Sequence, residues 1–81
     1  MFLVYVLKSE KDNKLYIGST NNLSRRILEH NQGNVHSTKN RRPLILVFTE
    51  HFPTKAEALK REHYFKSGGK AHQQLKKYLG A

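Results

Sequence analysis

The sequence has no cysteine and no tryptophan, only two prolines, and six acidic residues against fifteen lysines and arginines. Without cysteine there is neither a disulfide framework nor a thiolate zinc site, so folding must rest on apolar burial. Long apolar runs are missing as well. Phe2–Leu7 and Leu44–Phe48 are the longest, far short of the roughly 20 residues that cross a bilayer. No basic stretch precedes Phe2–Leu7 and no small-residue cleavage site follows it, so it does not read as a secretory signal. The chain also lacks GxSxG, HExxH, a P-loop and a dinucleotide fingerprint. The expectation is a soluble cytoplasmic protein with one domain spanning residues 1–81.

What is present is positive charge. The formal net charge is +9 on 81 residues, before any of the five histidines protonates. Such a surface attracts polyanions, of which nucleic acid is the commonest inside cells. An acidic membrane fits less well, because no segment reads as a helix both strongly basic and broadly apolar on its far face. Hydrophobic residues make up 37%, enough for a small core. A chain this short buries about 60% of its unfolded surface.

Phe2–Leu7 is β-branched, aromatic or leucine throughout and predicts a buried strand. The polar stretch Lys8–Asn13 predicts a hairpin loop, and Lys14–Gly18 a short partner strand. Asn21 or Asn22 can cap a helix that runs to about Asn31, with Gly33 as its stop and Leu23 and Ile27 as its apolar stripe. Residues 32–43 form a polar, basic loop ended by Pro43. Leu44–Phe48 predicts a third strand, hydrophobic on both faces. Thr54-Lys55-Ala56-Glu57 has the form of a capping box and opens a helix to about Ser67, which Gly68-Gly69 terminates. A last helix runs from about Ala71 to Leu79. The order is β-β-α-β-α-α: a small α+β domain in which helices must cover a three-stranded sheet.

Within this frame several polar side chains stand where a core is expected. Tyr5 and Tyr16 fall on the two strands of the first hairpin and can meet on one face, as core aromatics or as reactive phenols. Arg26 and His30, at i and i+4, lie along the edge of the first helix's apolar stripe, whereas Arg25 and Glu29 project towards solvent. A cation and an imidazole at such a rim suit a phosphate pocket, although an arginine can also lay its stem over apolar surface. Glu62 stands in the middle of the second helix's apolar face, where a carboxylate requires a partner or a metal. Lys66, its i+4 neighbour, can supply an ordinary ion pair. His36, His51, His63 and His72 show no metal-type spacing.

Taken together these residues resemble the GIY-YIG nuclease superfamily, specifically its small stand-alone bacterial members, from Val4 to about Phe65. Leu3-Val4-Tyr5 corresponds to the first motif, with Leu and Val where the family name has Gly and Ile. Tyr16-Ile17-Gly18 is the second, its tyrosine eleven positions after the first. Ser19 to Leu23, then Arg26 and His30 to Gly33, resemble the following helix, and Ala58 to Glu62 the segment that carries the family's metal-binding glutamate. The asparagine that follows this glutamate in many relatives is missing here.

The resemblance implies a three-stranded antiparallel sheet flanked by helices and divalent-metal-dependent phosphodiester cleavage. Glu62 would hold one Mg²⁺ or Mn²⁺, Arg26 would neutralise charge on the scissile phosphate, and Tyr5 would activate water, the sequence leaving Tyr16 open as the base instead. Tyr16 and His30 would assist in orientation and proton transfer. Phosphoryl transfer needs cations on developing negative charge, and one carboxylate suffices for an ion that keeps its waters. The phenol needs neighbouring positive charge, here Arg26 and the metal, to favour its ionised form. Lys39, Arg41, Arg42 and Lys66 are the expected nucleic-acid contacts. The substrate is expected to be DNA more than RNA, recognised by structure rather than sequence, with a protein partner able to supply specificity. A catalytically inactive nucleic-acid-binding module, or an interaction protein of a repair assembly, is the alternative.

Overall fold

The structure is a computed structural model and describes residues 1–79. Its elements run in the expected order: β1 (Phe2–Ser9), β2 (Leu15–Thr20), α1 (Leu23–Asn31), β3 (Leu44–Phe52), α2 (Lys55–Lys66) and α3 (Gly69–Tyr78). A short 3-10 turn, Lys39–Arg41, interrupts the basic loop. The strands form one antiparallel sheet in the order β2-β1-β3. Tyr5 lies opposite Gly18 on one side and Thr49 on the other.

Alternation along β1 divides the core in two. Val4 and Val6 point to one face, where they pack with Ile17, Ala58 and Phe65 of α2 and Leu75 of α3. Tyr5 and Leu7 point to the other, against Leu44 and the α1 residues Leu23 and Ile27. The helix starts follow the side-chain capping read from the sequence. Asn22 Oδ1 accepts from the Arg25 amide at 3.1 Å and Thr54 Oγ1 from the Glu57 amide at 3.2 Å.

Three expectations need correction. β3 runs to Phe52 rather than Phe48, because the full length of β1 offers backbone partners to the polar Thr49, Glu50 and His51. It is not buried on both faces: as an edge strand it leaves Ile45, Leu46 and Val47 exposed. The paired glycines do more than end α2. Gly68 has φ +78° and precedes α3, which begins at Gly69 instead of Ala71.

Candidate active site

Tyr5 is the centre of the candidate site. It is 1% exposed, and burial of so large a phenol obliges its hydroxyl to find partners. The oxygen accepts from Arg26 Nε at 3.3 Å and lies 2.9 Å from His30 Nε2. Tyr16, from the neighbouring strand, brings its ring within 6.3 Å of Tyr5 and edge-on to His30 at 4.8 Å. Four of the five expected residues therefore form one contiguous cluster between the sheet and α1. Gly18 makes room for it: a Cβ there would stand 2.6 Å from the Tyr5 hydroxyl.

Burial dominates the electrostatics of this cluster. It pushes the Tyr5 phenol up to about 12, against the opposing pull of the Arg26 hydrogen bond. Arg26 does favour the phenolate, as expected, but burial outweighs it in the free protein. Burial, and then the adjacent guanidinium, lower His30 to about 4, so its imidazole is neutral at physiological pH. The Tyr5 hydrogen bond raises Arg26 and holds it charged. Glu29, read as solvent-facing, instead pairs with Arg26 Nη1 at 3.3 Å.

Glu62 does not touch the cluster. It reaches it through β2, where Ser19, next to Gly18, donates its hydroxyl to Oε1 at 2.6 Å. On the other oxygen, Lys66 Nζ donates at 2.6 Å. Burial works against the charged carboxylate, yet the Lys66 and Ser19 hydrogen bonds outweigh it and hold the carboxyl below its usual range. No group of three or more His, Asp or Glu side chains gathers as a metal cage among the described residues. The donors still suit a hard ion that keeps its waters. An ion on Glu62 Oε2 would take the place of the Lys66 ammonium, while Ser19 sets the second oxygen.

A polar cleft of about 490 Å³ opens beside these groups, lined by Ser19 and Thr20 of β2, Asn21 just after it, Arg25, Arg26 and the acidic Glu29 of α1, and Lys55 of α2. A second cleft of about 520 Å³, between Phe52 and Tyr64, shares no residue with the tyrosine cluster. Its Arg61 is committed to Glu50 at 2.8 Å and to the Tyr64 and Phe65 rings. The polar cleft is the one with chemistry at its wall. Of the expected nucleic-acid contacts, Lys39 and Arg42 are exposed, and Arg42 Nε donates to the Lys39 carbonyl. Arg41 is half-buried and paired with Asp12 at 3.1 Å, and Lys66 is paired with Glu62.

Two contributors escaped the sequence reading. Ser19 follows the second tyrosine motif directly, a position that could have marked it. Thr38, fully buried, places Oγ1 2.7 Å from His30 Nδ1. Nothing in its surroundings in the basic loop sets it apart.

Comparison with known proteins settles the family. The sequence pattern of the GIY-YIG catalytic domain matches residues 1–78. The chain belongs to the GIY-YIG family. It is 48% identical over 65 residues to UPF0213 protein SH2523 of Staphylococcus haemolyticus, covering 79% of this chain and 78% of that one. With UPF0213 protein YazA of Bacillus subtilis it shares 51% identity over 63 residues, 76% of this chain and 63% of the relative. The solution NMR structure of UPF0213 protein BH0048 from Bacillus halodurans superimposes with a TM-score of 0.56 at 34% identity, over 93% of this chain and 81% of that one. The GIY-YIG fold and its nuclease kinship are thereby established for this domain. Among the described residues no helix is long and apolar enough to cross a membrane.

Proposed function

We propose that this GIY-YIG domain hydrolyses phosphodiester bonds in nucleic acid, in DNA more than RNA, with branched, flapped or damaged DNA as the target class. The observation that carries the reading is the buried Tyr5 hydroxyl bonded at once to a guanidinium and to a neutral imidazole beside a polar cleft. A phosphate in that cleft would meet Arg26, with Arg25 and Lys55 flanking it, and charge developing on its oxygens would be neutralised there. Glu62, steadied by Ser19, would hold a single Mg²⁺ or Mn²⁺. When bound, the ion supplies Lewis-acid polarisation of the phosphate and positive charge near the nucleophile.

A phenol with its pKa pushed to about 12 is a poor free base. It can still relay. Attacking water gives a proton to the Tyr5 oxygen as the Tyr5 hydroxyl proton passes to His30 Nε2, so no isolated phenolate forms. The negative charge of the incoming phosphate offsets the guanidinium that depresses His30, making the imidazole a better acceptor at that moment. Tyr16 orients the imidazole through its edge contact.

The pairing of Glu62 with Lys66 favours a second reading, a nucleic-acid-binding module that does not cleave. Incubation with branched and linear DNA, with and without Mg²⁺ or Mn²⁺, separates the two. Cleavage that disappears on chelation and in Glu62→Ala supports the hydrolase. Salt-sensitive binding without product under either ion supports the module, and cleavage retained by Glu62→Ala removes the glutamate's assigned role.

A further inference from the structure

We propose that Thr38 is a positioning residue that fixes His30 in the Nδ1–H tautomer and so leaves Nε2 facing Tyr5 as an acceptor. The inference rests on the proton relay proposed above. It starts from a count of hydrogens along four groups, the half-buried Arg26 and the buried Tyr5, His30 and Thr38. The Tyr5 oxygen accepts from Arg26, whose guanidinium can only donate. The phenol's own proton then needs an acceptor, and the group in reach is His30 Nε2 at 2.9 Å. A neutral imidazole carries one N–H, which is therefore on Nδ1 and points at Thr38 Oγ1, 2.7 Å away. Thr38 passes its hydroxyl hydrogen to the Val35 carbonyl at 3.5 Å. With the protons in this order every donor of the four groups finds an acceptor, whereas the reverse order leaves the Tyr5 proton without one among them.

The threonine is itself held firmly. It is fully buried, its amide donates to the Val35 carbonyl, and its own carbonyl accepts from the Arg41 amide. Across the turn, Ser9 Oγ donates to the Arg41 carbonyl at 2.6 Å. The basic segment that begins at Lys39 is thus joined to the relay at Thr38 and to β1 at Ser9. Replacing the hydroxyl by a methyl group in Thr38→Val keeps the shape and removes the acceptor. The imidazole proton then moves to Nε2, where it confronts the Tyr5 hydroxyl and closes the path for the phenol's proton.

Nitrogen-15 spectra of the imidazole rings at neutral pH test this without any turnover. The expected result is a single Nδ1–H form for His30 in the wild type and in Thr38→Ser, and a shift towards Nε2–H in Thr38→Val. An Nε2–H form in the wild type overturns the proposal, whether or not the valine variant folds, as does an unchanged tautomer in that variant. In cleavage assays kcat of Thr38→Val should fall at least about 10-fold with KM within about twofold, and Thr38→Ser should restore it. A fall that Thr38→Ser fails to restore also overturns the proposal. Absence of cleavage by the wild type counts against the hydrolase, and the ring spectra still decide the role of Thr38.

Discussion

Gly18 shows how tightly the tyrosine site is built. A methyl group there would lie 2.6 Å from the Tyr5 hydroxyl and 2.7 Å from Cζ, the buried end of a ring held by Arg26 and His30. Gly18→Ala is therefore expected to destabilise the fold by about 1–3 kcal/mol, read as a fall in Tm of roughly 4–8 °C per kcal/mol. His30 gives the fold a pH dependence. Burial lowers it to about 4, so below roughly pH 6.5 the unfolded chain takes up a proton that the folded one refuses. Its stabilising effect is complete above about pH 6.5 and is lost as the pH falls towards 4, by about 2–3 kcal/mol. Urea unfolding across that range, compared with His30→Gln, should show this slope only in the wild type. At the alkaline end, one tyrosine of four should ionise near 12 in an ultraviolet titration, and Tyr5→Phe should remove it. The type and placement of these side chains were legible from strand alternation and helical spacing. The sign of the Tyr5 shift was not, because it depends on how completely the cluster is covered.

Elements divide the basic residues into two kinds. Lys39 opens the 3-10 turn and Arg42 follows it, both exposed, whereas Arg41 between them pairs with Asp12 and reaches the Leu15 carbonyl at 3.5 Å. Lys39→Ala and Arg42→Ala should weaken nucleic-acid binding and each reduce its salt slope by about one. Arg41→Ala should instead lower thermal stability, and equal losses of binding from all three variants would refute this division. The sequence reading treated the segment as one loop because a charge run carries no signal of which side chain turns inward. A similar limit applied to Leu44–Phe48. Its apolar content fits a buried strand, but whether a strand is central or at the edge is decided by pairing order, and β1 took the centre. Asn31 completes the frame, donating to the Leu44 carbonyl and accepting from the Leu44 amide at the start of β3.

For the molecule as a whole, the net charge of +9 dominates association with a polyanion. With about four phosphate contacts, affinity should fall about 100-fold between roughly 50 and 200 mM salt, and a flat response would point to recognition that does not depend on phosphates. Charge, element order and the four side chains of the candidate cluster were all present in the chain as written. Glu62 was legible as an acid out of place, but its link to β2 through Ser19 was not, since it joins residues 43 positions apart. The central place of β1 has one more consequence. Its backbone is bonded on both sides, and its alternate side chains anchor both halves of the core. Warming should loosen the molecule from its rims inward, so deuterium would enter the middle of this strand last. The Tyr5 phenol, centre of the candidate site, is fastened to the part of the protein that yields last.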